Sequence, residues 1–194
     1  MYDIFRKYID SYISTPINDE EFELVQKAFL PKKLRKKQYL VQEGDVCKYM
    51  AFICKGAMRF YSVDEKGIEH IVRFGIENWW ITDRESFLSK EPSVYNVDAV
   101  EDCELLIVTK QDLDELNKQS SSFAELSKTL EQRTFVAAQK RIHAAISQSA
   151  EERYNELQKI NPSFIQRFPQ NMIASYLGVS PETLSRIRKQ ALSK

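Results

Sequence analysis

The sequence predicts an α+β fold in which a β-rich middle is enclosed by helices on both sides. Between residues 34 and 108, short segments rich in β-branched and aromatic residues alternate with turn signals such as Glu43-Gly44-Asp45 and Lys55-Gly56. Helical periodicity precedes and follows this region. Many short strands at close spacing favour a barrel or a roll.

The predicted strands are short and close together. They cover residues 39–41, 49–53, 57–63, 69–74, 94–100 and 105–108. A helical lead-in from residue 2 to about residue 29 precedes them, and Pro31 closes it. Helices return after Thr109, which is placed to cap a short helix with Asp112 at its third position.

A long helix should follow, beginning where Ser122 and Glu125 have the spacing of a capping box. Its apolar residues form two stripes, so it can pack on its own domain with one and on a second copy of the chain with the other. Arg133 and Lys140 interrupt the heptad-like stripe, and packing within one chain is therefore the alternative. The predicted dimer contacts are Phe123, Leu126, Leu130 and Ala137, and the other stripe contains Phe135, Ala138, Ile142 and Ala145.

The segment 170–189 has the pattern of two short helices joined by a tight turn. Pro169 and Pro181 each suit the start of a helix, because proline fixes φ and lacks an N–H that would have no partner there. Gly178 stands where a left-handed residue ends the first helix, and Ser180 can cap the second. This is the layout of a helix-turn-helix that reads DNA.

The outer face of the second helix carries side chains suited to base recognition. Arginine can donate two hydrogen bonds to guanine, and a carboxylate can accept one from cytosine. Arg186 and Glu182 are therefore predicted to read bases, with Ser185 beside them. The predicted phosphate contacts are Gln170, Ser180, Thr183, Arg188 and Lys189. The alternative is a solvated face on an ordinary helical hairpin.

Charge is distributed unevenly along a chain that is neutral overall, with 28 basic and 28 acidic residues. From Phe164 onward there are five basic residues, among them Arg167 and Lys194, and one acidic residue, Glu182, which leaves a balance of +4. A basic end and an acidic body suggest that the end faces phosphates.

Several classes of protein find no support in the sequence. No apolar run is long enough to cross a membrane and the first residues lack a signal-peptide pattern, so we expect a cytoplasmic protein without membrane contact. Cys47, Cys54 and Cys103 are widely spaced and are expected to be reduced and buried. His70 and His143 are the only imidazoles, and neither a catalytic motif nor a metal-ligand spacing is present. We therefore expect no enzyme activity, metal or cofactor.

Taken together these features resemble the Crp/Fnr transcription regulators, over nearly the whole chain. The most specific segments are LVQEGD (40–45), ICKGAMR (53–59), VEDCELLIV (100–108) and IASYLGVSPETLSRIRK (173–189). The resemblance implies a cyclic-nucleotide-binding-like β-roll, a long dimerisation helix and a C-terminal winged helix-turn-helix. The family's recognition helix carries R-E-T-x-x-R; Glu182 and Arg186 match, whereas Pro181 replaces the first arginine. The half-site should therefore differ from that of the cyclic AMP receptor protein.

The sensor region departs from the family pattern more strongly. Members that bind cyclic AMP hold its phosphate with an Arg-Ser pair, but Pro92-Ser93-Val94-Tyr95 occupies that place here. A buried phosphate without an arginine would be poorly compensated, so we expect no physiological binding of cyclic AMP. The residues predicted to line a pocket for a different, more aromatic effector are Arg73, Trp79, Trp80, Arg84 and Tyr95. The alternative is that the tryptophans fill the old pocket.

The predicted organisation has three parts: an effector-sensing roll with N-terminal helices (1–109), a short helix with the dimerisation helix (110–147), and a DNA-binding domain (148–194). The candidate partners are double-stranded DNA, a second copy of the chain, RNA polymerase and an unidentified small-molecule effector. The competing interpretation is a sensor that binds a small molecule or a partner, in which the C-terminal helices are only structural.

Overall fold

The computed structural model describes residues 1–192, and Lys194 of the predicted basic end lies outside them. A β-roll occupies the middle of the chain with helices before and after it, as the sequence predicts. In the described residues the helices are α1 (Tyr2–Asp10), α2 (Asp19–Ala28), α3 (Arg84–Ser89), α4 (Lys110–Gln119), α5 (Ser121–Ser147), α6 (Ala150–Ile160), α7 (Pro162–Arg167), α8 (Gln170–Leu177) and α9 (Pro181–Leu192). The strands are β1 (Leu30–Leu34), β2 (Tyr39–Val41), β3 (Met50–Lys55), β4 (Met58–Val63), β5 (Glu69–Gly75), β6 (Trp80–Ile81), β7 (Asn96–Ala99) and β8 (Cys103–Val108).

The N-terminal lead-in is divided into α1 and α2. Asn18 caps α2 by accepting a hydrogen bond from Glu21 N at 2.8 Å, and Asp10 accepts one from Ile17 N at 2.9 Å in the loop between the helices. β1 follows α2 directly and pairs with β8, although it contains Pro31. The sequence did not predict this strand; a proline is tolerated there because β1 lies at the edge of its sheet.

Two four-stranded antiparallel sheets form the roll in residues 1–192, with strand orders β1-β8-β3-β6 and β2-β7-β4-β5. All six predicted strands are present, each within a few residues of its expected bounds. Gly56 joins β3 to β4 at φ +97°, and a Cβ at this position would lie 2.5 Å from Asp102 O. Only glycine therefore fits the turn without displacing the neighbouring backbone.

An aromatic core joins α1 and α5 to the roll. Phe5 and Phe52 are fully buried, with ring centroids 4.7 Å apart. Phe123 and Leu126 of α5 belong to the same cluster, with exposures of 1% and 0%, and Leu130 packs against it. This corrects the predicted dimer contacts, because the side chains of Phe123 and Leu126 face their own domain and are closed to a second copy.

The first turn of α5 also differs from the prediction. Ser120 caps the helix, two residues before the expected position. Ser122 instead donates a hydrogen bond to Glu21, and Glu125 accepts one from Ser14 N at 2.9 Å. The predicted capping box of Ser122 and Glu125 is therefore wrong, because both side chains bond to the N-terminal segment.

The C-terminal part is helical throughout residues 109–192, so the predicted wing strands are absent from it. Ser149 and Glu152 form the predicted capping box at the start of α6, and Pro162 begins α7. The wing prediction is corrected for this reason: the residues ahead of α8 form the two helices α6 and α7. Thr109 caps α4 as expected, accepting a hydrogen bond from Asp112 N at 3.1 Å.

The cysteines are free and buried, as the sequence predicts. Burial raises the pKa of Cys54 to about 11 and that of Cys103 to about 12, so both thiols are protonated at neutral pH. Across residues 1–192, no helix combines the length and the hydropathy that a membrane-spanning segment requires.

Candidate nucleic-acid interface

The turn between α8 and α9 has the geometry that the sequence predicts. Gly178 is left-handed with φ +68°, and Val179 N donates to Ala174 O at 3.0 Å, which closes the end of α8. Ser180 Oγ accepts a hydrogen bond from Thr183 N at 3.2 Å and so caps α9. The two helices therefore meet at a fixed, well-bonded turn.

α9 has a buried face and an exposed face. Leu184 and Ile187 are buried in the core of the C-terminal helices. Glu182, Ser185 and Arg186 are exposed, so the three residues predicted to read bases lie together on the surface. They border an open depression of about 490 Å³, which is lined by Pro181, Glu182, Ser185, Arg186 and Lys189.

This face carries a carboxylate and a guanidinium, those of Glu182 and Arg186. A backbone N–H and the Ser180 side chain hydrogen-bond to Glu182 and lower its pKa, so this group is a carboxylate at neutral pH and acts only as an acceptor. Arg186 takes part in none of the ion pairs formed by residues 1–192. The face thus offers a guanidinium that can donate two parallel hydrogen bonds and a carboxylate that can accept one, about one turn of helix apart.

The residues predicted to contact phosphates lie on α8, on α9 and in the turn that joins the two helices. Gln170 is exposed in the first turn of α8, and Lys189 is exposed towards the end of α9. Ser180 and Thr183 lie at the N-terminus of α9, where the helix dipole and free N–H groups favour an anion. Arg188 is partly buried.

The inner side of α8 is docked on the outer edge of β5. Ser175 Oγ donates to Glu69 O at 2.8 Å and accepts from Ile71 N at 2.9 Å. β5 is the last strand of its sheet, so these backbone groups have no strand partner on that side. One serine side chain therefore satisfies two groups of the strand edge and attaches α8 to the roll.

Aromatic side chains pack the same contact. The ring of Phe74 on β5 lies 3.9 Å from that of Phe168 and 5.0 Å from that of Tyr176, centroid to centroid. Phe164 completes the cluster at 5.3 Å from both Phe74 and Phe168. Burial of several rings at one site makes this a substantial apolar contact between the roll and the C-terminal helices.

Arg167 supplies the polar part of the contact. Its guanidinium donates to Glu77 at 2.6 and 3.0 Å and to Glu101 at 2.9 and 2.6 Å. Burial alone would raise the pKa of Glu77, but the bonds from Arg167 and Gly56 N lower it overall. The sequence pattern did not reveal this ion-pair group, because both carboxylates are distant in the chain and the residue was counted only as part of the basic end.

The two predicted pocket tryptophans face different cores. Trp80 Nε1 donates to the Tyr8 hydroxyl at 3.0 Å, and its ring lies 5.6 Å from that of Phe5 under α1. Trp79 instead packs against Phe164 of α7, with ring centroids 5.6 Å apart. The prediction that both line one effector pocket is corrected, because adjacent residues of an extended segment point to opposite sides.

The remaining predicted pocket residues also separate. Arg73 and Tyr95 both contact Phe60, at 5.6 and 4.5 Å from its ring centroid, respectively. Arg84 is exposed and forms a 2.7 Å ion pair with Glu131 on α5. Arg73 and Tyr95 therefore stay together, whereas Arg84 lies outside their surroundings.

The segment 83–95, which contains the place of the family's phosphate-binding pair, uses its polar groups internally. Asp83 caps α3 by accepting a hydrogen bond from Glu85 N at 3.1 Å, and Ser93 Oγ donates to Asp83 at 2.6 Å. A carboxylate thus stands at the helix N-terminus that would otherwise attract a phosphate. No group of His, Cys, Asp or Glu side chains in residues 1–192 has the arrangement of a metal site.

Comparison with known proteins agrees with this architecture. Residues 31–120 match the family model of the cyclic nucleotide-binding domain. The matched residues cover the roll and α4. No curated protein matches the sequence.

Solved structures extend the similarity to the C-terminal helices. FixK2 from Bradyrhizobium japonicum matches with a TM-score of 0.69 and 18% identity over 85% of each chain. CLP, the c-di-GMP responsive global regulator of Xanthomonas campestris, matches with a TM-score of 0.67 and 12% identity over 91% of this chain and 92% of its own. A Crp/Fnr family transcriptional regulator from Eubacterium rectale matches with a TM-score of 0.67 and 16% identity over 90% and 83%. The chain shares the fold of the Crp/Fnr transcription regulators.

Acid should release the C-terminal helices from the roll before the roll unfolds. Because the folded-state pKa of Glu77 is lowered, its contribution is complete above the ordinary value of 4.5 and is lost as the pH falls through the lowered pKa. We expect the fluorescence of Trp79, which packs against Phe164, to change at a higher pH than the far-ultraviolet circular dichroism. The Trp79→Phe variant should lose this fluorescence change, which assigns it to Trp79 and not to Trp80.

The matched control for this titration is Glu77→Gln, which keeps the shape of the side chain but has no carboxyl proton to gain. The early fluorescence transition should weaken in this variant. An unchanged transition in Glu77→Gln would show that the Arg167 ion pairs do not hold the two parts together.

Proposed function

We propose that the protein is a sequence-specific DNA-binding transcription regulator that acts as a homodimer on a near-palindromic site. The observation that carries the proposal is the exposed face of α9, where Glu182, Ser185 and Arg186 stand together on a capped two-helix unit. A helix of this size fits the major groove, in which each base pair presents a distinct pattern of donors and acceptors.

The two charged residues have complementary roles in this proposal. Arg186 donates to guanine and Glu182 accepts from a neighbouring cytosine, while Ser185 hydrogen-bonds to either kind of edge. Pro181 begins the helix and has no side-chain donor, so the first base position of the family pattern is not read by this residue. The half-site is therefore defined by Glu182 and Arg186.

Arg186→Ala should weaken binding to the preferred DNA site by about 1–3 kcal/mol and relax the preference at one base position. The reason is the loss of a bidentate contact with one base. The preferred site is found by selection from a random DNA pool, and the affinity is then measured on that site, on each single-base variant and on unrelated DNA.

Arg188→Ala is the matched control, because it removes the same charge from a position predicted to contact phosphate. It should weaken binding to all sequences to a similar extent. If Arg186→Ala also weakens all sequences equally, Arg186 does not read a base; if selection enriches no two-fold symmetric motif, the regulator proposal itself fails.

The second half of α5 supports a homodimer. Phe135, Ile142 and Ile146 are 65%, 61% and 81% exposed, which is unusual for three large apolar side chains on one helix. Phe135 and Ile142 belong to the second predicted stripe, and Ile146 lies one turn beyond Ile142; Phe123 and Leu126 pack on the roll instead. We therefore assign the contact between the two copies to this stripe, and Ala137 lies in the same half of the helix.

Ile142→Glu should weaken the dimer about tenfold or more, because it places a charge without a partner in an apolar contact. Analytical ultracentrifugation over a concentration series measures the change. Ile160→Glu is the matched control, since Ile160 on α6 is 63% exposed and lies outside α5. A dimer of unchanged strength in Ile142→Glu would remove this stripe from the contact.

We also propose that cyclic AMP is not the effector. The place of the family's arginine and serine is taken by Pro92-Ser93-Val94-Tyr95, and the Ser93 hydroxyl is bonded to Asp83 at 2.6 Å. A cyclic phosphate would meet a carboxylate at the start of α3 in place of a cation.

Titration with cyclic AMP should therefore leave the tryptophan fluorescence without a saturable change up to millimolar concentration. Trp79 and Trp80 closely precede the segment 83–95, so binding there would alter their surroundings. Saturable quenching at micromolar cyclic AMP would overturn this part of the proposal, with adenosine as the control for effects of the base alone.

A further inference from the structure

Arg153 on α6 is a partly buried arginine whose guanidinium joins two helix ends. Its Nη1 donates to Gln148 O at 2.6 Å, and its Nη2 donates to Leu177 O at 2.9 Å. Gln148 is the residue that ends α5, and Leu177 is the last residue of α8. One side chain therefore connects the end of the long helix to the end of the helix that precedes α9.

The ends of helices are places where a cation is stabilised. The last carbonyl groups of a helix have no partner within the helix, and the aligned peptide dipoles place partial negative charge on them. Arg153 bonds to such carbonyl groups at the ends of two helices. No ion pair among residues 1–192 includes Arg153, so its guanidinium is held by backbone carbonyl groups and not by an acid.

The junction between α5 and α6 is short and well bonded. Only Gln148 and Ser149 separate the two helices, and both have extended backbone. Gln148 N donates to Ala144 O at 3.0 Å, and the carbonyl of the same residue accepts from Arg153. Both backbone polar groups of Gln148 are thus bonded, which fixes the direction in which the chain leaves α5.

α8 is held at its side and at its end by different elements. The Ser175 hydroxyl bonds to the edge of β5, whereas Arg153 bonds to the carbonyl of Leu177. The turn that leads to α9 follows Leu177 directly, at Gly178. Arg153 therefore holds the end of α8 from which α9 departs, and it ties this end to α5.

We propose that Arg153 is a positioning residue that fixes the helix pair α8–α9 relative to α5 and so restricts the spacing of half-sites that the homodimer accepts. The proposal rests on the proposed function, because only a dimer that reads two half-sites has a preferred spacing. The guanidinium is suited to this role, since its planar fork presents two nitrogens to two carbonyl groups, whereas a lysine ammonium is a single point.

Spacing is selective only when the two reading helices are held rigidly. Half-sites on successive turns of DNA lie about 34–36 Å apart, so one added base pair shifts the second by about 3.4 Å and rotates it by about 35°. A rigid dimer can follow this change only by deforming the DNA, which costs free energy. A dimer whose α8–α9 pair moves on α5 follows it more easily. Loss of the Arg153 bonds should therefore flatten the dependence of affinity on spacing.

The first test measures affinity on the DNA site selected from a random pool, with spacers one and two base pairs shorter and longer. A change of one base pair should weaken binding about tenfold or more in the wild type and about threefold or less in Arg153→Gln. Arg153→Lys keeps the charge but loses the fork, so its spacing dependence should be as flat as that of Arg153→Gln. Lys159→Gln, which removes an exposed charge from the same helix, is the matched control and should behave as the wild type.

The preference for bases separates positioning from a general loss of folding. Both Arg153 variants should keep the wild-type base preference within each half-site, since Glu182 and Arg186 are unchanged. A purely structural Arg153 would lower the stability of the variants and leave their spacing dependence as steep as that of the wild type. Steep dependence in both variants therefore overturns the proposal.

The second test measures positioning without DNA, by double electron–electron resonance between spin labels at Asn171→Cys on α8 and Lys140→Cys on α5. Both positions are exposed, whereas the native cysteines are buried and closed to the label. An excess of unlabelled protein leaves one labelled copy in each dimer. The distance distribution should be narrow with Arg153 and in the Lys159→Gln control, and broader in both Arg153 variants.

The two tests fail independently of each other. A distance distribution of unchanged width in both Arg153 variants overturns the positioning role, whatever the protein does with DNA. Broadening in both variants, together with a selection that enriches no two-fold symmetric motif, supports the positioning of α8 by Arg153 and rejects the proposed function.

Discussion

The outer edge of β5 is the constraint on which the arrangement of the chain depends. A strand at the edge of a sheet presents N–H and C=O groups that need partners. Ser175 of α8 bonds to Glu69 O and Ile71 N, and Arg141 of α5 bonds to Val72 O. One strand edge therefore fixes both the long helix and the C-terminal unit, and it does so through side chains.

The direction of α9 follows from this attachment. Phe74 of β5 and Phe168 stack at 3.9 Å, and the aromatic cluster buries the side of α8 that carries Ser175 and Tyr176. Leu184 and Ile187 of α9 belong to the same cluster, and Glu182 and Arg186 on its other face are exposed. The polar and apolar parts of the contact thus act together: the hydrogen bonds set the register of α8 on the strand, and the rings supply most of the buried apolar area.

Most local signals were read correctly from the sequence, whereas the capping box of Ser122 and Glu125 and the long-range contacts were not. Gly178 and Ser149 act within a few residues, so their turn and cap could be predicted from spacing alone. The two stripes of α5 have the same helical period, and nothing local tells which stripe meets the roll; Phe123 was therefore assigned to the wrong face. Trp79 and Trp80 were grouped because they are neighbours, although alternation in an extended segment separates them. Arg167 lacked a local signal, since its acids lie 66 and 90 residues away.

The ion pairs of Arg167 change the meaning of the charge split between the two ends of the chain. The basic end was expected to face phosphates, but the guanidinium of Arg167 forms ion pairs with Glu77 and Glu101 of the acidic body. Part of the opposite charge therefore attaches the C-terminal helices to the roll, and fewer cations remain on the outer surface. The salt dependence of DNA binding scales with the number of phosphates neutralised. For the proposed DNA binding, a small outer charge therefore implies a shallow dependence on salt and leaves more of the discrimination between sites to base contacts.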